Sequence, residues 1–358
     1  MRAFALIERG KVGIIDIEKP KIKTEYNAIL RPIAMSICTS DVNTVYGTGS
    51  KKPDNLVLGH ECVAVVDEVG SGVKDFKKGD IVAVPAMTPD WRNIEIQEGN
   101  FLHAGKPFSA NALGRSIQGE FAEYFLIEDA DTTIAKLPEG VSIDDALMCV
   151  DMVTTGFSGA EEADIRFGDT VVVLGIGAVG LMTIQGAFLS GAGKIIAVGS
   201  RKVSVKLALK YGADFIFDYK ADNITQKVLE LTGGKGADVV IVCGGNDETF
   251  SSAIDMVRYG IGKVVNLKHF SGDGSIEIPK FSGGRGMGGK TVKMELGKGG
   301  RARMERLMSM VKYKKISPRD LITHTFYGFE KLIPALEMMR KKEDDLIKIK
   351  VVPEWFCQ

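Results

Sequence analysis

The 358-residue chain has no excess of either charge: 46 lysines and arginines meet 46 aspartates and glutamates. That balance removes the broad field that draws a protein to nucleic acid or to an anionic membrane, so neither is expected as a partner. Cysteines are few, odd in number and scattered (Cys38, Cys62, Cys149, Cys243, Cys357), which argues against a disulfide framework and for a reducing compartment, the cytoplasm. The opening MRAFALIERGKVG carries a glutamate and no apolar run of signal length, so no secretory leader is expected. The one long uncharged stretch, the 24 residues from Thr170 to Gly193, holds six glycines and Gln185 and reads as a buried strand and helix, not a membrane span.

What is present is an ordinary globular composition, 45% hydrophobic and 26% charged, slightly rich in glycine at 42 residues. Single cores stop growing near about 250 to 300 residues, so two domains are expected. The first 150 residues offer short β-type runs between turn residues: RAFALIE, NAILRPIAM, CVAVVDEV, DIVAVPAM and AEYFLIE. They predict a mostly antiparallel barrel or sandwich. From residue 154 the rhythm becomes strand, helix, strand, with TVVVLGI, KIIAVGS, DFIFDY and DVVIVCGG alternating with amphipathic helices. That alternation predicts a doubly wound parallel sheet of the Rossmann type, an α/β domain over 154–295. Residues 1–153 and 296–358 form the other domain on this reading. The glycine-rich basic segment 282–307 reads as a surface loop returning the chain to that first domain; without interleaved aromatics it is no RNA-binding tract.

Gly175, Gly177 and Gly180 form G-x-G-x-x-G between TVVVL and a helix starting near Ala178. There one glycine permits the tight turn, one lets backbone approach a pyrophosphate and one lets helix and strand pack closely. A chain built for NAD offers an acid to the ribose about 20 residues on. Here the second strand ends instead at Gly199, Ser200 and Arg201, where a hydroxyl and a guanidinium suit a 2′-phosphate, so NADP is predicted over NAD.

The stretch LGHECVAVVDEVGSGV, 58–73, sets His60 and Glu61 at the mouth of an apolar run. Cys38 in ICTSD and Asp151 in CVDMVTTG are chemically suited to join His60 around Zn²⁺ with a fourth position open for substrate, although spacing alone does not show that they meet.

GHE with Gly70 and Val73, the Cys38-Thr39-Ser40-Asp41 run and LGIGAVGL together resemble the zinc-dependent medium-chain alcohol dehydrogenases. TPDW (Thr88 to Trp91), DMVTTGF (Asp151 to Phe157), VGSR (Val198 to Arg201) and GGRARMERL (Gly299 to Leu307) are similar to the NADP-dependent secondary-alcohol branch of that family. The resemblance runs from near Met1 to about Val352. It implies a GroES-like catalytic domain carrying zinc on Cys38, His60 and Asp151, with Glu61 as an occasional ligand. It also implies Ser40 as the hydroxyl that passes the substrate proton, and Gly199, Ser200, Arg201 and Tyr219 around the phosphorylated adenosine. The family's structural-zinc loop of four cysteines has no counterpart in 95–115, which implies one zinc per subunit; the branch is typically a homotetramer. The expected activity is reversible hydride transfer between NADP(H) and a secondary alcohol or ketone.

Departures from the branch include Ala64 for a usual glycine, Asn43 for a histidine of the proton path, Asn111 for a pocket tryptophan and His269 for a tyrosine near the nicotinamide. A larger or more polar pocket keeps a diol or polyol dehydrogenase in view, and, from another class, a catalytically silent nucleotide-binding sensor.

Overall fold

In the computed structural model residues 1–47, 55–104, 111–270, 275–278, 280 and 282–356 are described. They fall into two compact units, one of Met1–Thr154 with Lys298–Gln358, the other of Thr155–Gly297. Among the described residues, no helix is long and apolar enough to cross a membrane.

The first unit is built on the strand Ala28–Ile37, nearly every residue of which is buried. Its one edge pairs antiparallel with Cys62–Val69, which pairs in turn with Ile81–Val84 and then with Ala135–Lys136. On the other side lies Lys348–Val352, antiparallel, followed by Ile322–Tyr327 in parallel. Register shifts between Ile29 and Leu30 and between Pro32 and Ala34 bend the central strand at its proline, which has no N–H to give the ladder. Arg2–Glu8, Lys11–Asp16 and Leu56–Val57 form a separate three-stranded sheet. Phe4, Phe121, Leu58 and Phe329 are fully buried in the core that joins it to the main sheet.

Among the described residues the second unit holds six parallel strands. Their spatial order is Phe215–Phe217, Lys194–Val198, Thr170–Leu174, Val239–Val242, Lys263–Asn266, Thr291–Met294. The chain thus winds outward first to one side of Thr170–Leu174 and then to the other, and the reversal opens a crevice beyond the carboxyl ends of that strand and Val239–Val242. Val171, Val172 and Val173 are fully buried, as strands covered on both faces require.

One expectation fails here. The segment 282–307 is not simply a surface loop: Thr291–Met294 is the sixth parallel strand, and the following helix spans Arg301–Lys312. TVKM sits at the sheet edge with mostly exposed side chains, so it lacks the apolar run by which its inner neighbours are recognised.

Candidate active site

Each putting-in-place of a polar group at the first unit's site has a local cause. Cys38 ends the buried strand Ala28–Ile37 and serves as N-cap of the helix Thr39–Tyr46. The Asp41 carboxylate accepts the Cys38 N–H at 2.8 Å through Oδ2, tying strand end to helix start. His60 and Glu61 stand just before the strand Cys62–Val69, after Gly59, whose φ of +96° a side chain would strain. A Cβ at Gly59 would also lie 2.3 Å from the Phe121 ring, so the glycine lets the His60 backbone settle on the core. Asp151 lies in a π-helical turn, Cys149–Val153, between the helices Ile143–Met148 and Thr154–Glu162. Such a widened turn lets a side chain leave the helix out of the ordinary spacing.

The four candidate ligands converge. One ligand atom from each of Cys38, His60, Glu61 and Asp151 lies within 4.8 Å of all the others. His60 Nε2 is 3.6 Å and Cys38 Sγ 3.8 Å from Asp151 Oδ2. A tetrahedral zinc with ordinary bond lengths separates nitrogen from oxygen by about 3.4 Å and sulfur from oxygen by about 3.6 Å. The donor set therefore fits zinc in both chemistry and size. Glu61 Oε1 stands farther out, 4.0 Å from His60 Nε2. The Ser40 hydroxyl is hydrogen-bonded to that same Nε2 at 2.9 Å, within reach of whatever the ligand atoms hold.

Behind the ligands lies a polar layer that sequence reasoning missed. Asp41 Oδ1 is 3.2 Å from His60 Nδ1, off the line of a good hydrogen bond but close enough to fix the ring and its charge. Lys348, from the strand Lys348–Val352, donates to Glu61 Oε1 at 2.6 Å and to the Ile37 carbonyl at 2.9 Å. Glu120 is fully buried, and among the described residues neither of its carboxylate oxygens has a hydrogen-bond partner. Its sequence signal was a charge inside GEFAEYF. Asp41 is visible in sequence only as the last residue of the Cys38-Thr39-Ser40-Asp41 run, and nothing near Lys348 marks it.

Burial pushes the Cys38 thiol up, against the pull of Lys348. It also raises the Glu61 carboxyl, again opposed by Lys348. For His60 burial works downward, but Asp41, Asp151 and Cys38 outweigh it and hold the imidazole well above its usual value. Burial sets the other three thiols of the described residues apart from this chemistry, holding Cys243 up at about 12 and Cys62 and Cys149 well above the ordinary range.

In the second unit the glycine turn stands at the crevice. Gly175 has φ +91°, and its backbone packs on Gly244; a Cβ on Gly180 would come within 1.9 Å of the Gly175 carbonyl. A Cβ on Gly177 would meet no protein atom within 4 Å, so there the turn faces open space, at the N-terminus of the helix Ala178–Leu189. Gly199 lies against Ile176, and its N–H bonds the Phe217 carbonyl. Ser200 and the N-cap residue Arg201 follow, with Tyr219 exposed nearby in sequence. His269 is an exposed residue beyond the strand Lys263–Asn266. Asn43 lies in the helix after Cys38, and Ala64 is fully buried in the strand after His60. The side chain of Asn111, and residues 105–110 of the region compared with the structural-zinc loop, lie outside the described residues.

Comparison with known proteins agrees with this architecture. The alcohol dehydrogenase GroES-like domain family matches residues 24–139, and the zinc-binding dehydrogenase family matches 178–310. An NADP-dependent isopropanol dehydrogenase of Thermoanaerobacter brockii is 46% identical over 98% of this chain and 99% of its own. One of Entamoeba histolytica is 42% identical over 97% and 94%. Among solved structures, zinc-dependent alcohol dehydrogenase 2 from Streptococcus pneumonia superposes with a TM-score of 0.87 at 26% identity, covering 99% of each chain. The chain belongs to the zinc-dependent medium-chain alcohol dehydrogenases, in their NADP-dependent secondary-alcohol branch.

Proposed function

We propose that the protein interconverts secondary alcohols and ketones with NADP(H), holding one zinc ion on Cys38, His60 and Asp151, with Glu61 in reserve. The convergence of Cys38, His60, Glu61 and Asp151 within 4.8 Å carries this reading. Bound zinc supplies Lewis acidity toward the substrate oxygen, and NADP(H) accepts or returns the hydride.

The chain's own groups do the rest. In oxidation the substrate hydroxyl would give its proton to the Ser40 oxygen, which would pass its own proton onward, so that one proton leaves the site for each alcohol oxidised. Ser40 is suited to this because its hydroxyl already lies 2.9 Å from His60 Nε2. Asp41 and Lys348 hold His60 and Glu61 in place from behind. The glycine turn receives the pyrophosphate at Gly177, and Gly199, Ser200, Arg201 and Tyr219 receive the 2′-phosphorylated adenosine.

A single metal per subunit is favoured because none of the five cysteines lies in 95–115. Cytoplasmic residence accords with the four free cysteines of the described residues, and a homotetramer with the branch. The test is an absorbance assay of NADPH with acetone beside metal analysis of the purified protein. Oxidation of NADPH with about one zinc per chain supports the reading; tight NADPH binding with zinc present and no turnover of any ketone or alcohol supports a sensor instead. Cys38→Ser is expected to abolish turnover and spare NADPH binding.

A further inference from the structure

We propose that Arg303 is a positioning residue for the candidate ligand Asp151, acting through Thr154, an inference that rests on the zinc reading above. Asp151 reaches the other ligands from the π-helical turn Cys149–Val153, set between two ordinary helices. Such a turn is rare, and its one extra residue interrupts the regular ladder and leaves backbone groups in need of outside partners. Here partners are supplied on both flanks of the aspartate. Ahead of it the Val150 carbonyl accepts the Ala86 N–H at 3.2 Å. Behind it Thr154, whose own N–H bonds back to the Asp151 carbonyl, is gripped by Arg303.

The grip is a fork on a single residue. Arg303 Nη2 donates to the Thr154 carbonyl at 3.3 Å and Nε to the Thr154 hydroxyl at 3.1 Å, while that hydroxyl donates onward to the Lys298 carbonyl at 2.6 Å. Thr154 is 2% exposed, so little water competes for these bonds. The arginine is itself held steady, because its helix Arg301–Lys312 buries Met304, Leu307, Met308 and Val311. All of these contacts lie within the first unit. If the turn relaxed to ordinary winding, the Asp151 side chain would swing by about 100° around the axis, one residue's worth of an α-helix. That swing would take the carboxylate away from Cys38 and His60. Arg303 belongs to the run GGRARMERL, which supplies no candidate ligand, and holding the turn open gives that run a part in the metal centre.

The experiment measures zinc affinity by competition with a chelating dye, and the visible spectrum of the cobalt(II)-substituted protein, for the wild type, Arg303→Met, Arg303→Lys, Thr154→Val and Thr154→Ser. Arg303→Met is expected to bind zinc about tenfold or more weakly and to shift and weaken the cobalt bands, since the ligand field reports where the Asp151 oxygen stands. Arg303→Lys keeps the charge but loses the fork, so it should recover only part of the loss. Thr154→Ser, which keeps the hydroxyl, should match the wild type, and Thr154→Val should not. Thermal unfolding reports that each variant has folded, and NADPH binding, read by fluorescence, should be unchanged throughout. If Arg303→Met does not fold, Arg303→Lys and Thr154→Val decide the matter. Wild-type zinc affinity and cobalt spectra in the folded Arg303 variants and in Thr154→Val overturn the positioning role alone. A wild type that binds neither zinc nor cobalt overturns the zinc reading and the positioning with it.

Discussion

Lys348 and Glu61, 287 positions apart in the chain, form a buried ion pair with a 2.6 Å contact between Nζ and Oε1, their side chains 2% and 0% exposed. The second Glu61 oxygen has no hydrogen-bond partner among the described residues. The lysine thus restrains the same oxygen that stands 4.0 Å from His60 Nε2, so the pair would govern how far Glu61 can reach toward an ion at the proposed zinc site.

Lys348→Met would leave the Glu61 charge buried and unmatched, a change that costs about 3 to 5 kcal/mol. The double substitution Lys348→Met with Glu61→Leu should recover most of that loss. Thermal or urea unfolding of the wild type and the two variants checks it; a single substitution as stable as the wild type would show that the pair contributes nothing.

Asp41→Asn should leave the fold intact and weaken zinc binding by about tenfold to a hundredfold, because the histidine loses the carboxylate that orients and polarises it. Competition with a chelating dye measures this. Equal affinity in the two proteins would remove Asp41 from the metal centre.

The two glycine positions of the nucleotide turn should separate. Gly180→Ala drives a methyl into the Gly175 carbonyl, so it should destabilise the second unit and cost NADPH binding together. Gly177→Ala meets no protein atom, so stability should hold while NADPH affinity falls, since only a bound pyrophosphate would feel the methyl. Calorimetric unfolding with and without NADPH distinguishes the cases.

Arg201→Asp places a carboxylate where the 2′-phosphate is proposed to lie. The ratio of kcat/KM with NADPH to that with NADH should fall by about two orders of magnitude, as a charge-assisted contact becomes a repulsion. An unaltered ratio would move the phosphate site elsewhere.

Removing the metal with a chelator should stop turnover and leave NADPH binding unchanged, because the candidate ligands all belong to the first unit and the glycine turn to the second. Fluorescence of bound NADPH before and after dialysis provides the measurement. Joint loss of both would mean that the ion supports folding in addition to chemistry.

The sequence disclosed these features unequally, for physical reasons. The inner strands of the second unit announce themselves because burial on both faces demands unbroken runs such as TVVVL and VVIV. Its outer strand TVKM escapes notice because an edge with exposed side chains imposes no such demand. Cys38, His60 and Asp151 were legible as zinc-type donors, yet their meeting depends on a strand end, a positive-φ glycine and a widened helical turn that no spacing rule encodes. Lys348 was hidden altogether: a lysine in KIKVV reads as solvated surface until the strand is paired with Ala28–Ile37 and turned inward.

The distance along the chain between Glu61 and Lys348 also has a temporal meaning. A ribosome adding about 5 to 20 residues per second makes the lysine roughly 15 to 60 seconds after the glutamate. Asp151 follows Glu61 by 90 residues, so for the remainder of that interval Cys38, His60, Glu61 and Asp151 are all present while the glutamate still lacks its lysine.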